Sequence, residues 1–524
     1  MSTPVSIHDG PFTTNTLASK SFLIIYVTII WGSILPLLLE LYLFLKLIEY
    51  DFYLFILLLP FQIYIGYIIL VFSSILLAKV FLIIINLIHK PKEGIFERNN
   101  NNKDYYFWSL RAIIKKWPVW ISKFIPLPLV DKLNVRWFHN DSEFIEYGKN
   151  VCIGKGSSIR ASMIFREFLI IKKVKIEDNV TIGSNSYIVP GTHIYKNTTI
   201  TMMSVTKFNQ KIKRDSDSKK YSIDSIQEIN NVLSKVINLN DNLLPDKPKA
   251  EKFVKNLNFD LFTFGALYFF SNLIPILGSI YFVNTLFFPV FLQCSSFFSI
   301  FQNINSLVIF FVTPLFLIIV YFMNLLIVIF FTKLLYKFIQ YLNPVKEGVF
   351  HWENKNNDYK CYFKRSFILR YVKWKIQKSP FPWLIKFAFN FIGNCQIGTN
   401  TVIEDSYLAK ELLKVGNNTY LGKALIANHL WDKSLTVKKI TIGDNVTISD
   451  NCCISPGTEI QENVSLLPLS VTTKNDNLSA DSIYFNSPLT KISKERLINI
   501  FNLDMDDLAL NKIKLITNKT RDKF

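Results

Sequence analysis

The sequence predicts a membrane α-helical plus all-β protein, in which a transmembrane helix pair followed by a coil of hexapeptide repeats occurs twice as a tandem duplication. Three observations carry this. From Ile442 to Leu466 every sixth residue is a large aliphatic (Ile442, Ile448, Ile454, Ile460, Leu466). Four residues after each of the first four stands a small or β-branched one (Val446, Cys452, Thr458, Val464). A helix repeats at about 3.6 and a half-buried strand at about 2, so this period belongs to neither. It is the pattern of hexapeptide coils, whose short strands stack around a narrow apolar core and turn corners on Gly and Asn. Second, the pattern recurs through Ile176, Ile182, Ile188, Ile194 and Ile200. IEDNVTIG from Ile176 faces IGDNVTIS from Ile442, VPGTHI faces SPGTEI, and upstream KEGIF at Lys92 faces KEGVF at Lys346. Third, long apolar stretches precede each coil.

Composition bounds the class. At 524 residues, with 50% hydrophobic and 46 Phe, the chain is long enough for several domains and too apolar to be wholly soluble. The net charge of +19 sits beside the apolar stretches, which argues against nucleic acid and for the lipid bilayer or a phosphate-bearing substrate as partner. Six cysteines without CxxC pairing or metal-ligand spacing to histidine read as reduced structural thiols, with no metal and no bound cofactor expected.

Residues 1–20 are polar and lack the basic start and cleavage site of a signal peptide. The first transmembrane pair is expected over 21–90, from Phe22 to Lys46 and from Phe52 to Ala78 and on toward Ile88, since a span needs about 20 apolar residues. An aromatic and basic segment over 91–140, DYYFWSLRAIIKKWPVW from Asp104 to Trp120, suits a helix at headgroup level, with a gate over an active site as the alternative. The first coil domain occupies 141–209 and a polar linker 210–256, with helical character from Ile226 to Ile237. The second membrane segment spans 257–342. No charge occurs between Leu261 and Thr332, which leaves room for two spans or three, and a pair per copy gives four in all. A second interfacial segment (343–390), the second coil (391–473) and a polar tail (474–524) with one amphipathic helix near Leu497 to Leu510 complete the chain. Lys79, Lys90 and Lys92 leave the first pair, and Lys333, Lys337 and Lys346 the second, so both coil domains are expected in the cytoplasm. The Asn-x-Ser/Thr matches at Asn179 and Asn445 then read as coil corners rather than glycosylation sites.

Chemistry has few places to sit. Between Leu421 and Ile442 the spacing exceeds a whole number of hexads, so a loop leaves the coil there, and it carries ANHLWDKS with His429 and Asp432. A neutral His is the usual general base for an attacking hydroxyl or amine, worth about 10² to 10⁴ in rate, and Asp432 is placed to orient its ring. Lys423, Lys433, Lys438 and Lys439 are available to donor phosphates, although ordinary solvated surface is the alternative for each. The first copy's loop, ASMIFREFLIIKK, has no His and offers only Arg166 and Glu167. His193, matched by Glu459, reads as a surface residue, and His139 and His351 are given no role.

Apolar spans, an aromatic and basic exit segment and hexapeptide coils, repeated twice, resemble the C-terminal membrane region of the non-ribosomal peptide synthetases that make poly-lysine-type homopolymers. CQIGTNTVIEDSYLAKELLKVGNNTYLG from Cys395, HLWDKSLTVKKITIGDNVTIS from His429, and FIEYGKNVCIGKGSSI through IVPGTHI in the first copy carry the match. The family's His-Leu-aromatic-acid stretch falls on His429, Leu430, Trp431 and Asp432. The resemblance implies a left-handed parallel β-helix similar to the hexapeptide acyltransferases. It also implies a part in joining activated aminoacyl groups to an amine. The chain departs from it in having no adenylation domain and no carrier segment, so a thioester donor has to arrive as acyl-CoA or on a separate phosphopantetheine carrier protein.

The leading expectation is a membrane-embedded acyltransferase. The alternative is a noncatalytic scaffold whose coils dock a partner, and self-association through the β-helices is open in either case. A transporter has little support, because no charge lies in the second apolar stretch.

Overall fold

The computed structural model describes residues 21–99, 101–125, 141–166, 168–213, 257–350, 357–404, 406–432 and 434–492. The expected helices of the linker and tail, His139, His351, Glu167 and Lys433 lie outside these, as do the side chains of Trp431 and Asp432.

Among the described residues, four helices are long and apolar enough to cross a membrane. They are α1 (Ser21–Leu47), α2 (Phe52–Ile88), α4 (Leu257–Phe282, continued as a π-helix over Val283–Leu292) and α5 (Ile304–Leu342). Side chains satisfy some of the backbone N–H groups left over at helix starts: Asp51 accepts from Leu54 N at 2.8 Å, and Asn303 accepts from Asn305 N at 3.0 Å. At 37 residues α2 is about 55 Å long, so it outruns a hydrocarbon layer of about 30 Å and continues toward the coil domains. Polar side chains tie the helices together where apolar ones cannot. Gln62 donates to Glu40 at 2.7 Å, Asn324 to the Ser271 carbonyl at 2.7 Å, and Trp31 to the Phe311 carbonyl at 2.8 Å.

Each helix pair leads into a bracket helix: α3 (Lys103–Ile114) after the first, and α6 (Asn357–Gln377) then α7 (Leu384–Ile392) after the second. The sequence suggests amphipathic anchors lying at the lipid surface. In the structure one face of these helices is packed into the protein, while Trp374 and Phe387 stay exposed. Ile113, Ile114, Ile368 and Val372 are buried in one continuous cluster with Phe22, Tyr26 and Leu325 of the spans and Ile397 and Ile442 of the second coil.

Both coils are parallel β-helices with a turn of eighteen residues. Lys175 pairs with His193 and His193 with Lys211; in the second coil Cys395 pairs with Leu413, and Thr441 with Glu459 and then Glu459 with Asn477. Three strands per turn make three faces, which is why the sequence period is six. The Ile ladder lines the axis: Ile182, Ile188, Ile194, Ile448, Ile454 and Leu466 are all buried. Corners fall on Asn in the left-handed conformation, among them Asn179 and Asn445, both with φ 56°. Their amides stack, Asn150 on Asn179 and Asn179 on Asn197, each at 3.1 Å. Strands at Asn477–Leu478 and Ile483–Phe485 continue the second coil past Thr473, where the sequence reading places the start of a tail. The six-residue grid runs on through Thr472, Leu478 and Tyr484, but Thr and Tyr stand where large aliphatics are sought, so a reading by aliphatics misses this last turn.

One excursion leaves each coil, and each is a hairpin. In the first, β2 (Ser162–Phe165) and β3 (Phe168–Ile171) pair antiparallel, and β1 (Gly94–Glu97) adds to β3. In the second, β5 (His429–Asp432) and β6 (Ser434–Val437) pair, and β4 (Gly348–Phe350) adds to β6. The repeated KEGIF and KEGVF motifs are therefore the strands that stitch the end of each apolar helix pair to its hairpin.

The two coils pack against each other. The first hairpin's Met163, Phe165 and Ile170 pack with Leu467 and Ile492 of the second coil, whereas Leu430 of the second hairpin is exposed.

Candidate functional site

Among the described residues, two polar centres lie outside the long apolar helices. The first is at the meeting of the coils. Arg160 follows the last strand before the first hairpin, and its Nε lies 3.2 Å from Asp450 Oδ2 of the second coil, where Tyr187 also donates from its hydroxyl at 3.3 Å. Burial alone would lower the Arg160 pKa; Asp450, with smaller contributions from Tyr187 and Glu404, outweighs it and raises the pKa, so the guanidinium is charged. Beside it Asp141 accepts from Trp108 Nε1 at 3.0 Å and from both the backbone N and the hydroxyl of Ser162. Lys115 pairs with Glu143 at 2.7 Å. These groups surround a cavity of about 50 Å³, room for a few water molecules.

The second centre is the open hairpin. His429 begins β5 and is half-buried, 6.1 Å ring to ring from Tyr362 of α6. Its pKa is pushed down to about 4, first by burial and then by the charges of Lys410 and Lys373, so the imidazole is neutral near pH 7. Nδ1 lies 3.3 Å from Oδ1 of the buried Asn428. If Nδ1 carries the proton, Nε2 is left with the lone pair a base needs. Nδ2 of Asn428 is buried and makes no hydrogen bond.

Beneath the hairpin, Lys373 of α6 is buried, donates to the Leu408 carbonyl and lies 3.6 Å from the Tyr407 ring centroid. Burial, and then Lys410, hold its pKa well below the usual lysine range. Lys410 donates to Ser366, and its pKa falls to about 8 through burial and Arg370. Arg365 pairs with Glu411 at 3.1 Å, both buried.

The structure separates the residues the sequence singled out. The backbone of Asp432 pairs with Ser434 at the hairpin tip, about 10 Å along the strand from His429. The Lys423 backbone N donates to Asp450 Oδ1 at 2.8 Å, at the meeting of the coils. Lys438 Nζ donates to Asn475 at 2.8 Å, and Lys439 is exposed with its backbone N on Glu347 at 3.0 Å. The charges that reach His429 are Lys410 and Lys373, which sequence reading missed: a lysine on a basic helix looks solvated until the fold buries it. In the first hairpin Ser162 stands at the place of His429, each opening its hairpin opposite Ile171 or Val437. His193 lies on the coil surface, 2.8 Å from Glu177.

Residues 173–202 match the family described as the hexapeptide repeat of succinyl-transferase. No curated protein matches the chain. Among solved structures, it is similar to a hexapeptide-repeat-containing acetyltransferase from Vibrio cholerae, 20% identical over 20% of this chain and 64% of that one, with a TM-score of 0.18. The chain thus spans just under two-thirds of that relative's length. It is also similar to a maltose O-acetyltransferase from Clostridium difficile, 18% identical over 32% of this chain and 87% of that one, TM-score 0.18. A third is a galactoside acetyltransferase in complex with coenzyme A, 16% identical over 32% of this chain and 81% of that one, TM-score 0.18.

Proposed function

We propose that the protein is a membrane-embedded acyltransferase whose reaction is carried by the second coil domain. The observation that carries this is His429: a half-buried imidazole held neutral at the base of the hairpin that leaves the coil. It draws a proton from an acceptor amine or hydroxyl as that group attacks a thioester carbonyl. The new C–N or C–O bond forms, the C–S bond breaks, and the imidazolium returns the proton to the departing thiolate. The donor is acyl-CoA or a carrier-bound thioester, in keeping with the coenzyme A in the galactoside acetyltransferase structure. An aminoacyl thioester is the donor in keeping with the homopolymer synthetases that the sequence resembles.

Asp432 acts as orienter only if its carboxylate comes within hydrogen-bond reach of Nδ1. A fall in kcat at unchanged KM in Asp432→Asn supports that part, and an unchanged kcat removes it. Lys423, Lys433, Lys438 and Lys439 are retained as contacts for the outer parts of the donor. The first coil domain holds Ser162 against Asp141 and serves as a structural partner. The shared element order, hairpins and paired motifs support a tandem duplication of a left-handed β-helix unit. The four long apolar helices support placement in a bilayer, with both coils on its cytoplasmic side.

The test is thioester consumption by the full chain in detergent over a panel of acyl-CoA and aminoacyl-carrier donors. Turnover of any donor supports the reading; a folded protein that consumes none transfers the weight to a membrane scaffold.

A further inference from the structure

Three cationic side chains converge beneath the His429 hairpin with little to balance them. Lys373 is buried in α6. Lys410 approaches from the first turn of the second coil, and Arg370, one helical turn from Lys373, is exposed with no ion pair among the described residues. Ser366, Arg370 and Lys373 follow one another on one face of α6, Lys410 donates to Ser366, and Lys373 donates to the carbonyl of Leu408, two residues before Lys410. Among the described residues, the carboxylate beside them is Glu411, whose Oε2 accepts from Arg365. Grouped charges of one sign, partly removed from water, are costly unless an anion joins them. A second observation points the same way: Asn428, only 1% exposed, keeps its Nδ2 donor without a partner next to His429. Positive charge that only neutral groups face in hydrogen bonds, beside an amide donor without a partner, is what a phosphoryl group needs.

We infer that Lys373, Lys410 and Arg370 form a phosphate-binding site between the bracket helix α6 and the first turn of the second coil, open at Arg370. Two sources bring that chemistry to this place. One is the phosphate end of a soluble thioester donor, and naming it rests on the acyl-transfer reading. The other is a phospholipid headgroup, since α6 is the next helix after the apolar helix α5.

The experiment compares the full chain with Arg370→Gln and Lys410→Gln; Lys373 is left in place, because removing a buried ammonium tests folding as much as binding. Coenzyme A binding is measured by calorimetry in detergent, and retention of phosphatidic acid from nanodiscs by native mass spectrometry. Coenzyme A bound by the wild type and at least tenfold more weakly by both variants, at unchanged melting temperature, establishes the site with a soluble source. Phosphatidic acid retained by the wild type and released by both variants, without coenzyme A binding, establishes it with a lipid source. Retention of neither ligand, or binding unaltered in the variants, overturns the inference. His429→Ala separates the two readings: it keeps the phosphate ligand and loses turnover. A chain that binds phosphate through these residues and turns over no thioester retains the site without the reaction.

Discussion

Arg160 of the first coil and Asp450 of the second, 3.2 Å apart, form an ion pair that crosses the junction of the two domains. Both side chains lie mostly out of water, at 17% and 6% exposure. Breaking such a pair costs more than the pair contributes, because the surviving charge keeps its burial and loses its partner. Asp450→Asn is therefore expected to destabilise the chain by about 3 kcal/mol, while Arg160→Met added to Asp450→Asn, which keeps an acceptor for the Lys423 backbone N, recovers part of that loss. Thermal melting in detergent reads both, and a double variant no better than the single one contradicts the assignment.

Coil stacking leaves no room for side chains where successive turns touch. A Cβ at Gly416 would lie 2.2 Å from Asp444 Oδ1 and 2.5 Å from the Gly443 carbonyl carbon. Gly416→Ala is expected to spread the turns and lower the melting temperature. In the axis, Ile448→Ala is expected to cost about 2 to 5 kcal/mol as a cavity opens. Gly278, with nothing within 4 Å of its Cβ position, is the control whose Ala variant melts like the wild type.

Protonation of His429 sets a pH dependence with a definite sign. Its pKa in the folded protein, about 4, lies below the ordinary 6.5, so the base form is complete across pH 5 to 7 and turnover falls only as pH drops toward 4. Lys410→Gln removes one of the two nearby cations, Lys373 remaining, and moves that limb upward toward 6.5; burial, the larger cause, keeps it from arriving there. The same group makes folding stability decline as pH falls from about 6.5 toward 4, where the unfolded chain binds a proton that the folded one refuses. A limb near 6.5 in the wild type contradicts the buried setting.

The proposed arrangement, in which all four long apolar helices cross the bilayer, puts both coils on one side of it. Cys152 of the first coil is exposed, and Leu430 of the second hairpin is 41% exposed. In sealed, oriented vesicles an impermeant maleimide is expected to label Cys152, and a cysteine placed by Leu430→Cys, from the same side. Labelling from opposite sides contradicts the four-span arrangement.

Much of this architecture is legible in the chain. The Ile ladder at every sixth residue announces the coil, and Asn179 and Asn445 announce its corners, because few residues besides Gly and Asn turn left-handed readily. The excess spacing after Leu421 shows that something leaves the coil. That it is a hairpin is hidden, because its third strand comes from Gly348–Phe350, far upstream. The charged surroundings of His429 are hidden for the same reason: Lys373 lies on α6 and Lys410 in the coil, and only folding brings them together. The meeting of Arg160 with Asp450 depends on how one domain seats on the other, which no local pattern encodes.

The most direct test of the central claim is thioester turnover by the full chain beside His429→Ala and Ser162→Ala. A fall of at least tenfold in His429→Ala, with Ser162→Ala near wild type, is the predicted result and places the base in the second coil domain. Equal turnover in wild type and His429→Ala contradicts it.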